Sequence, residues 1–255
     1  MEPDTSPLQH SATPIPTMNL LRFDSEGAWV AGVASLWRDR LQTNPRLRMC
    51  LPSGNTPIRI YAAMAESMKR GLVSFRTAEI FALDDYVGLA PDDEGKCVNI
   101  LRRFLIEHVD LPKEQFHFIA TDAPDLERVC RDYDRLIGDG FDLTLLGLGL
   151  NGHLGLNEPG SAPDSTTGRV KMHASSIGAS ADYLKHSNRP TWGVTVGLKQ
   201  LLASKEIWLL ASGAKKADII RRTVKGDVTT EVPATLLQRH PNCFLSVDAE
   251  AGALL

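Results

Sequence analysis

The sequence predicts an α/β fold built on a single doubly wound, mostly parallel sheet with helices on both faces, Rossmann-like in plan. Three observations carry this. Apolar strand-like runs alternate with helical patterns through most of the chain. One of these runs, 143–146, is short, mainly apolar and followed by glycine, as a strand buried within a parallel sheet should be. No linker divides the chain, and 255 residues, 43% hydrophobic and 23% charged, are enough for one ordinary core.

In chain order, residues 1–17 hold four prolines and no apolar run. They are expected to be a tail, neither signal peptide nor membrane span, ahead of one domain over residues 18–255. Strands are predicted at 47–51, 79–83, 142–146, 194–196, 207–211 and 244–247. Helices are predicted at 57–69, 98–108, 126–137 and 215–224, where apolar residues recur three and four apart. No stretch offers eighteen uninterrupted apolar residues, so a soluble chain is expected. The net charge of -3 gives no basic field, which excludes nucleic acid as a main partner and leaves any anion to a local site. Cys50, Cys97, Cys130 and Cys243 have no metal-like spacing. Buried thiols in a reducing cytoplasm account for them, and no metal site is expected.

Because ligands in such sheets gather beyond the carboxyl ends of the strands, the segments that follow each strand are the candidate site. After the first core strand, Ser53-Gly54-Asn55-Thr56-Pro57 reads as a loop running into a helix, with Thr56 as N-cap and Pro57 as first helical residue. Free backbone N–H groups and the positive end of the helix dipole make such a loop a phosphate cradle. Lys216, after another strand, is a suitable point-charge partner for the same anion. Asp84-Asp85 follows the apolar run 80–83. Neighbouring side chains of an extended segment point to opposite faces, so one of these acids is expected to enter a pocket and the other to orient the loop. Two adjacent carboxylates also raise the pKa of one of them, which suits a general base.

The richest segment is 141–160, FDLTLLGLGLNGHLGLNEPG. Gly147, Gly149 and Gly152 satisfy G-x-G-x-x-G, but Gly155, Pro159, Gly160 and Pro163 follow. They break the helix a dinucleotide fingerprint must open, and a dinucleotide-dependent oxidoreductase is set aside. What remains is a loop presenting His153, suited to proton transfer near neutral pH, and Glu158, a carboxylate able to orient it.

With these residues in view, the chain resembles the glucosamine-6-phosphate deaminase family, including galactosamine-6-phosphate deaminase/isomerase proteins. The likeness runs from about residue 47 to the C-terminus through LPSGNTP, LDDYVGL, LGLGLNGHLGLNEPG, RPTWGVTVGLKQLL and PATLLQRHP. It implies a cofactor-free conversion of a 2-amino-2-deoxyhexose 6-phosphate into a ketose 6-phosphate and ammonia. It further implies that Asp84 moves the C2 proton and that Asp85 stands where glutamate is usual. His153 becomes the ring-opening acid/base, with Glu158 as its partner and Asn151 where other members have aspartate or asparagine. Ser53, Gly54, Asn55, Thr56 and Lys216 would hold the phosphate, Asn55 replacing a common glycine. An arginine completing that phosphate site in well-known members has no counterpart; Tyr183 aligns there, with Lys185, His186 and Arg189 nearby. Arg169 and Lys171 resemble an allosteric phosphate pair of hexameric members but read as surface charge, and a homo-oligomer is left open. Two alternatives are a 6-phosphogluconolactonase-like hydrolase and a non-catalytic sugar-phosphate sensor. The lactonase is disfavoured by Asp84-Asp85-Tyr86, where that family has an acid-glutamate-arginine trio, and the sensor by the presence of all the proton-transfer groups.

Overall fold

The computed structural model describes residues 18–180 and 189–255. The tail expected at 1–17, and Tyr183, Lys185 and His186, lie outside the described residues. The first half of the described chain runs β1 (Asn19–Phe23), α1 (Glu26–Thr43), β2 (Arg48–Leu51), α2 (Asn55–Lys69), β3 (Glu79–Ala82), β4 (Asp84–Tyr86), α3 (Cys97–Phe104), β5 (Phe116–His117), α4 (Leu126–Ile137) and β6 (Leu143–Gly147). The second half adds β7 (Gly168–Lys171), α5 (Ala174–Ser180), β8 (Trp192–Thr195), α6 (Leu198–Leu202), β9 (Glu206–Ala211), α7 (Ala217–Lys225) and β10 (Cys243–Asp248).

Seven strands form the main sheet in the order β1-β10-β9-β6-β2-β3-β5, and every pairing in it is parallel. Alternation along each strand sends side chains into two separate cores. Met49, Leu51, Ile80, Trp208 and Leu210 pack under α1, α2 and α3. Cys50, Phe81, Ile207, Leu209 and Ala211 pack on the opposite face with α4, α6 and α7. Helices therefore cover both faces, as a doubly wound sheet requires. All four cysteines are buried and free.

Two corrections follow. The strand expected at 194–196 is β8, and it belongs to a second, antiparallel sheet ordered β4-β8-β7. The sheet is thus not single. Leu83 is where the chain changes sheets: its N–H donates to Leu51 and its carbonyl accepts from Val196. A strand that must pair sideways with β8 leaves the parallel ladder at that point, and this turns Asp84 and Asp85 into the space above the main sheet. The second correction is local. Helix α2 begins at Asn55 with Gly54 as its N-cap, so Thr56 is not the cap and Pro57 is not its first residue. Gly54 is extended and makes no side-chain cap bond, and the chain turns helical immediately after it.

Several elements have no counterpart in the sequence reading, among them β5, β7, α5 and α6 and, at the start of the described chain, β1 and α1. Trp29, Val33, Trp37 and Leu41 mark the buried face of α1 at a strict spacing of four, and Ser25 caps it by accepting from the Ala28 N–H at 3.2 Å.

Candidate active site

Strands β2 and β6 are adjacent, yet the chain proceeds from β2 outward through β3 and β5, then returns to β6 and moves outward the other way. This reversal is the point at which open α/β sheets leave a crevice beyond the strand ends. A cavity of about 810 Å³ lies there, lined by Ser53 to Thr56 after β2, Asp84 after β3, Gly149 and His153 after β6, and Lys216 after β9. Residues predicted from four separate strand ends therefore share one wall-to-wall space.

The helix end and the lysine come first. With Gly54 extended and no acidic residue in the first turn, the N-terminus of the fifteen-residue α2 opens on the cavity. Ser53 is buried beside it, and the Tyr61 hydroxyl donates to the Pro52 carbonyl, which pins the loop from below. Lys216 Nζ donates to the Leu148 carbonyl of the glycine loop, and burial lowers its pKa. That single neutral acceptor leaves the ammonium two further N–H donors.

Opposite stands the acid pair. Asp84 lines the cavity and Asp85 does not; Asp85 is 1% exposed and its Oδ1 accepts from the Tyr86 and Cys97 N–H groups, each at 2.8 Å. The division of labour expected from an extended segment is realised. Burial, opposed by a hydrogen bond from the Cys97 thiol and assisted by the charge of Asp85, raises the Asp84 pKa to about 7. Burial also raises Asp85, to about 6, against the pull of Lys96 and three backbone N–H groups. A carboxylate with pKa near neutrality is matched to proton abstraction and return.

The third station is the glycine loop. It holds no helix, in keeping with its glycines and prolines, and folds back through a bridge between Leu154 and Asn157. The His153 ring lies directly over Gly149, where a Cβ would collide with it. Gly155 has φ +61, and a Cβ there would approach Thr195 Oγ1 to 2.7 Å, so the loop can lie flat on β8 only with glycine. His153 Nδ1 is 3.4 Å from Glu158 Oε2 and 3.1 Å from Ser176 Oγ. Glu158 also accepts from Asn151 Nδ2 at 2.8 Å and from the His173 N–H at 3.0 Å. Burial alone would raise Glu158, but the hydrogen bond and charge of His153, with Ser176 and Asn151, hold it down at about 2. An anion so fixed orients the imidazole through Nδ1, leaving Nε2 for the cavity.

Of the sequence candidates, Asp84, His153, Ser53, Gly54, Asn55, Thr56 and Lys216 line the cavity. Asp85, Asn151 and Glu158 stand behind them and hold them in place. Arg189 is described and exposed but is not among the lining residues. Arg169 is exposed on β7 with its guanidinium 4.2 Å from the Trp192 ring centroid, and Lys171 is exposed on the same strand. Ser176, Cys97 and Lys96 were missed. Ser176 lies in a short serine-rich stretch, and Cys97 and Lys96 lie eleven or more residues past the acids they touch; only the fold brings them near. Among the described residues no group of three potential ligands is placed to hold a metal ion.

A family model described as glucosamine-6-phosphate isomerases/6-phosphogluconolactonase matches residues 26–245. The chain belongs to this family. Among its relatives is a glucosamine-6-phosphate deaminase of Bacillus pumilus (strain SAFR-032), 35% identical over 240 residues, which span 93% of this chain and 100% of the relative. Another, from Thermoanaerobacter pseudethanolicus (strain ATCC 33223 / 39E), is 36% identical over 225 residues, covering 87% of this chain and 89% of the relative. A solved monomeric glucosamine-6-phosphate deaminase superposes with a TM-score of 0.89 at 29% identity, over 93% of this chain and 100% of that one. The 6-phosphogluconolactonase of Trypanosoma brucei superposes with a TM-score of 0.75 at 19% identity, over 93% of this chain and 98% of that one, a likeness of fold. Both branches of the family share the sheet, so the chemistry must be read from the site.

Proposed function

We propose that this chain is an amino-sugar-6-phosphate deaminase/isomerase that converts a 2-amino-2-deoxyhexose 6-phosphate and water into a ketose 6-phosphate and ammonia. The observation that carries this reading is that one cavity is lined by Asp84, by His153 with Glu158 behind it, and by the α2 N-terminus and Lys216, the groups that two proton transfers and a phosphate anchor require. The names of the relatives at about 35% identity support the same chemistry.

The phosphate is held by the first turn of α2, by Ser53 and Thr56, and by Lys216, and it anchors the sugar without entering the reaction. Asp84 and His153 then address opposite ends of the reacting unit. His153, oriented through Nδ1, passes a proton between the ring oxygen and the C1 hydroxyl, opening the ring to the aldehyde. Asp84 removes the proton from C2 and returns one to C1, while the nitrogen gives up a proton and the C1 oxygen gains one, leaving a ketimine at C2 and a hydroxyl at C1. Water adds to the ketimine, the C–N bond breaks, and ammonia departs as the C2 ketone forms. No step calls for a redox change or a cofactor. Residues 18–255 act as one catalytic domain, and among the described residues no helix is long and apolar enough to cross a membrane, in keeping with a cytoplasmic enzyme.

Ammonium release from glucosamine 6-phosphate and galactosamine 6-phosphate, run beside hydrolysis of 6-phosphogluconolactone, tests the assignment. Ammonium from either amino sugar, with the lactone untouched above its spontaneous rate, is expected. Rapid lactone hydrolysis without ammonium overturns it in favour of the hydrolase, and turnover of neither, with binding intact, in favour of a sensor.

A further inference from the structure

Asp85 and Lys96 form an ion pair that takes no direct part in the steps above. Lys96 Nζ stands 4.0 Å from Asp85 Oδ2, and the two side chains are 4% and 1% exposed. Oδ1 is satisfied by backbone donors, whereas Oδ2 has no hydrogen-bond partner among the described residues. At 4.0 Å the contact is too long for a hydrogen bond and acts through charge. A buried pair of this kind is weak evidence for stability, because an apolar pair of similar volume commonly does as well. Its location is what matters. Lys96 is the N-cap of α3, and the next residue, Cys97, both donates its N–H to Asp85 and touches Asp84 through its thiol.

We propose that Lys96 is a positioning residue for the general base: it keeps Asp85 as a fixed anion behind Asp84, and that anion sets how firmly Asp84 holds a proton. The proposal rests on the reading of Asp84 as the base. Two negative charges on adjacent buried carboxylates repel, so an ionised Asp85 makes Asp84 more basic. Without Lys96, burial would neutralise Asp85 and the repulsion would lapse. The other titratable groups facing Asp84 are Cys50 from β2, Tyr61 from α2, Tyr133 from α4 and Cys97 from α3. Burial drives all four upward, so they stay neutral at the working pH, and Lys216 lies at another wall of the cavity. Asp85 is thus the neighbour whose charge Asp84 feels, and Lys96 is what sustains that charge.

The test is the titration of Asp84, read by carboxylate ¹³C NMR and by the acid limb of kcat/KM against pH. Asp85→Asn should move the Asp84 midpoint down by about one pH unit and lower the plateau kcat, since a weaker base abstracts more slowly. Lys96→Met should move it in the same direction, and adding Lys96→Met to Asp85→Asn should move it no further. Lys96→Arg, which keeps the cation, should hold the midpoint of the unaltered protein. An unmoved midpoint in Asp85→Asn overturns the proposal, as does a Lys96→Met shift that is equally large with and without Asp85. The NMR arm needs no turnover. Loss of the proposed activity across the panel with the expected NMR shifts would therefore count against the deaminase reading alone.

Discussion

Asp84→Asn should cost the protein its turnover and make it more stable. Asp84 is 8% exposed and its pKa moves from an ordinary 3.8 to about 7, chiefly because burial penalises the ionised form. The folded state therefore binds a proton more tightly than the unfolded chain does. Between pH 4 and 7 the unfolded Asp84 is ionised while the folded one is protonated, so stability falls as pH rises through that window. The fall is about 1.4 kcal/mol per pH unit, reaching roughly 4 kcal/mol above pH 7. Asparagine fills the same space without a charge and escapes this penalty. Urea unfolding of both proteins at pH 5, 6, 7 and 8 measures it. The stability advantage of Asp84→Asn should widen steadily from pH 5 to about 7 and then level off. In the same samples kcat should fall by about 10² or more, with sugar-phosphate binding nearly intact, because the lost interaction belongs to the transition state. A stability difference that ignores pH would refute the raised pKa, and activity within about tenfold of the unaltered protein would refute the base.

Three further outcomes are expected. His153→Gln should impair turnover of the cyclic amino sugar far more than of substrate supplied in open-chain form; equal loss with both would reduce His153 to a loop-shaping residue. Ser176→Ala removes one of the groups that fix His153 and hold down Glu158, so kcat should drop while KM stays within about twofold, and Ser176→Thr should restore it; an unchanged kcat would make the contact incidental. Lys216→Ala should raise KM for the phosphorylated sugar without altering the weak turnover of the non-phosphorylated one, and an unchanged KM would make Lys216 merely a partner of Leu148.

Much of the architecture is legible in the sequence because buried parallel strands are short, apolar and bounded by breakers. Residues 207–211 and 244–247 and helix 126–137 stand almost where their patterns place them. Strand β8 misleads because Gly193, Val194 and Val196 look like a core strand, whereas the sheet that receives it depends on Leu83 leaving the parallel ladder. Helix α1 is hidden because Val30 and Leu36 add apolar residues off the face marked by Trp29 and Trp37, blurring the period. The lining groups of the site, Asp84, His153 and Ser53 to Thr56, follow their strands directly and so can be found by asking what each strand end carries. Cys97 and Lys96 stand at the start of α3, ten or more residues past β4, and Ser176 follows β7, a strand absent from the sequence reading, so no local pattern announces them. The arginine missing from the phosphate site leads to Tyr183 and Lys185, outside the described residues, and to Arg189, which is exposed.

The most direct measurement follows the hydrogen at C2. Glucosamine 6-phosphate deuterated at C2 is mixed with the enzyme, and ²H NMR is recorded alongside ammonium release. With the unaltered protein the label should leave C2 at the rate ammonium appears, and with Asp84→Asn neither should occur. Ammonium released by Asp84→Asn at an undiminished rate, or 6-phosphogluconolactone opened while the amino sugar keeps its label, would contradict the assignment of Asp84 and the deaminase reading respectively.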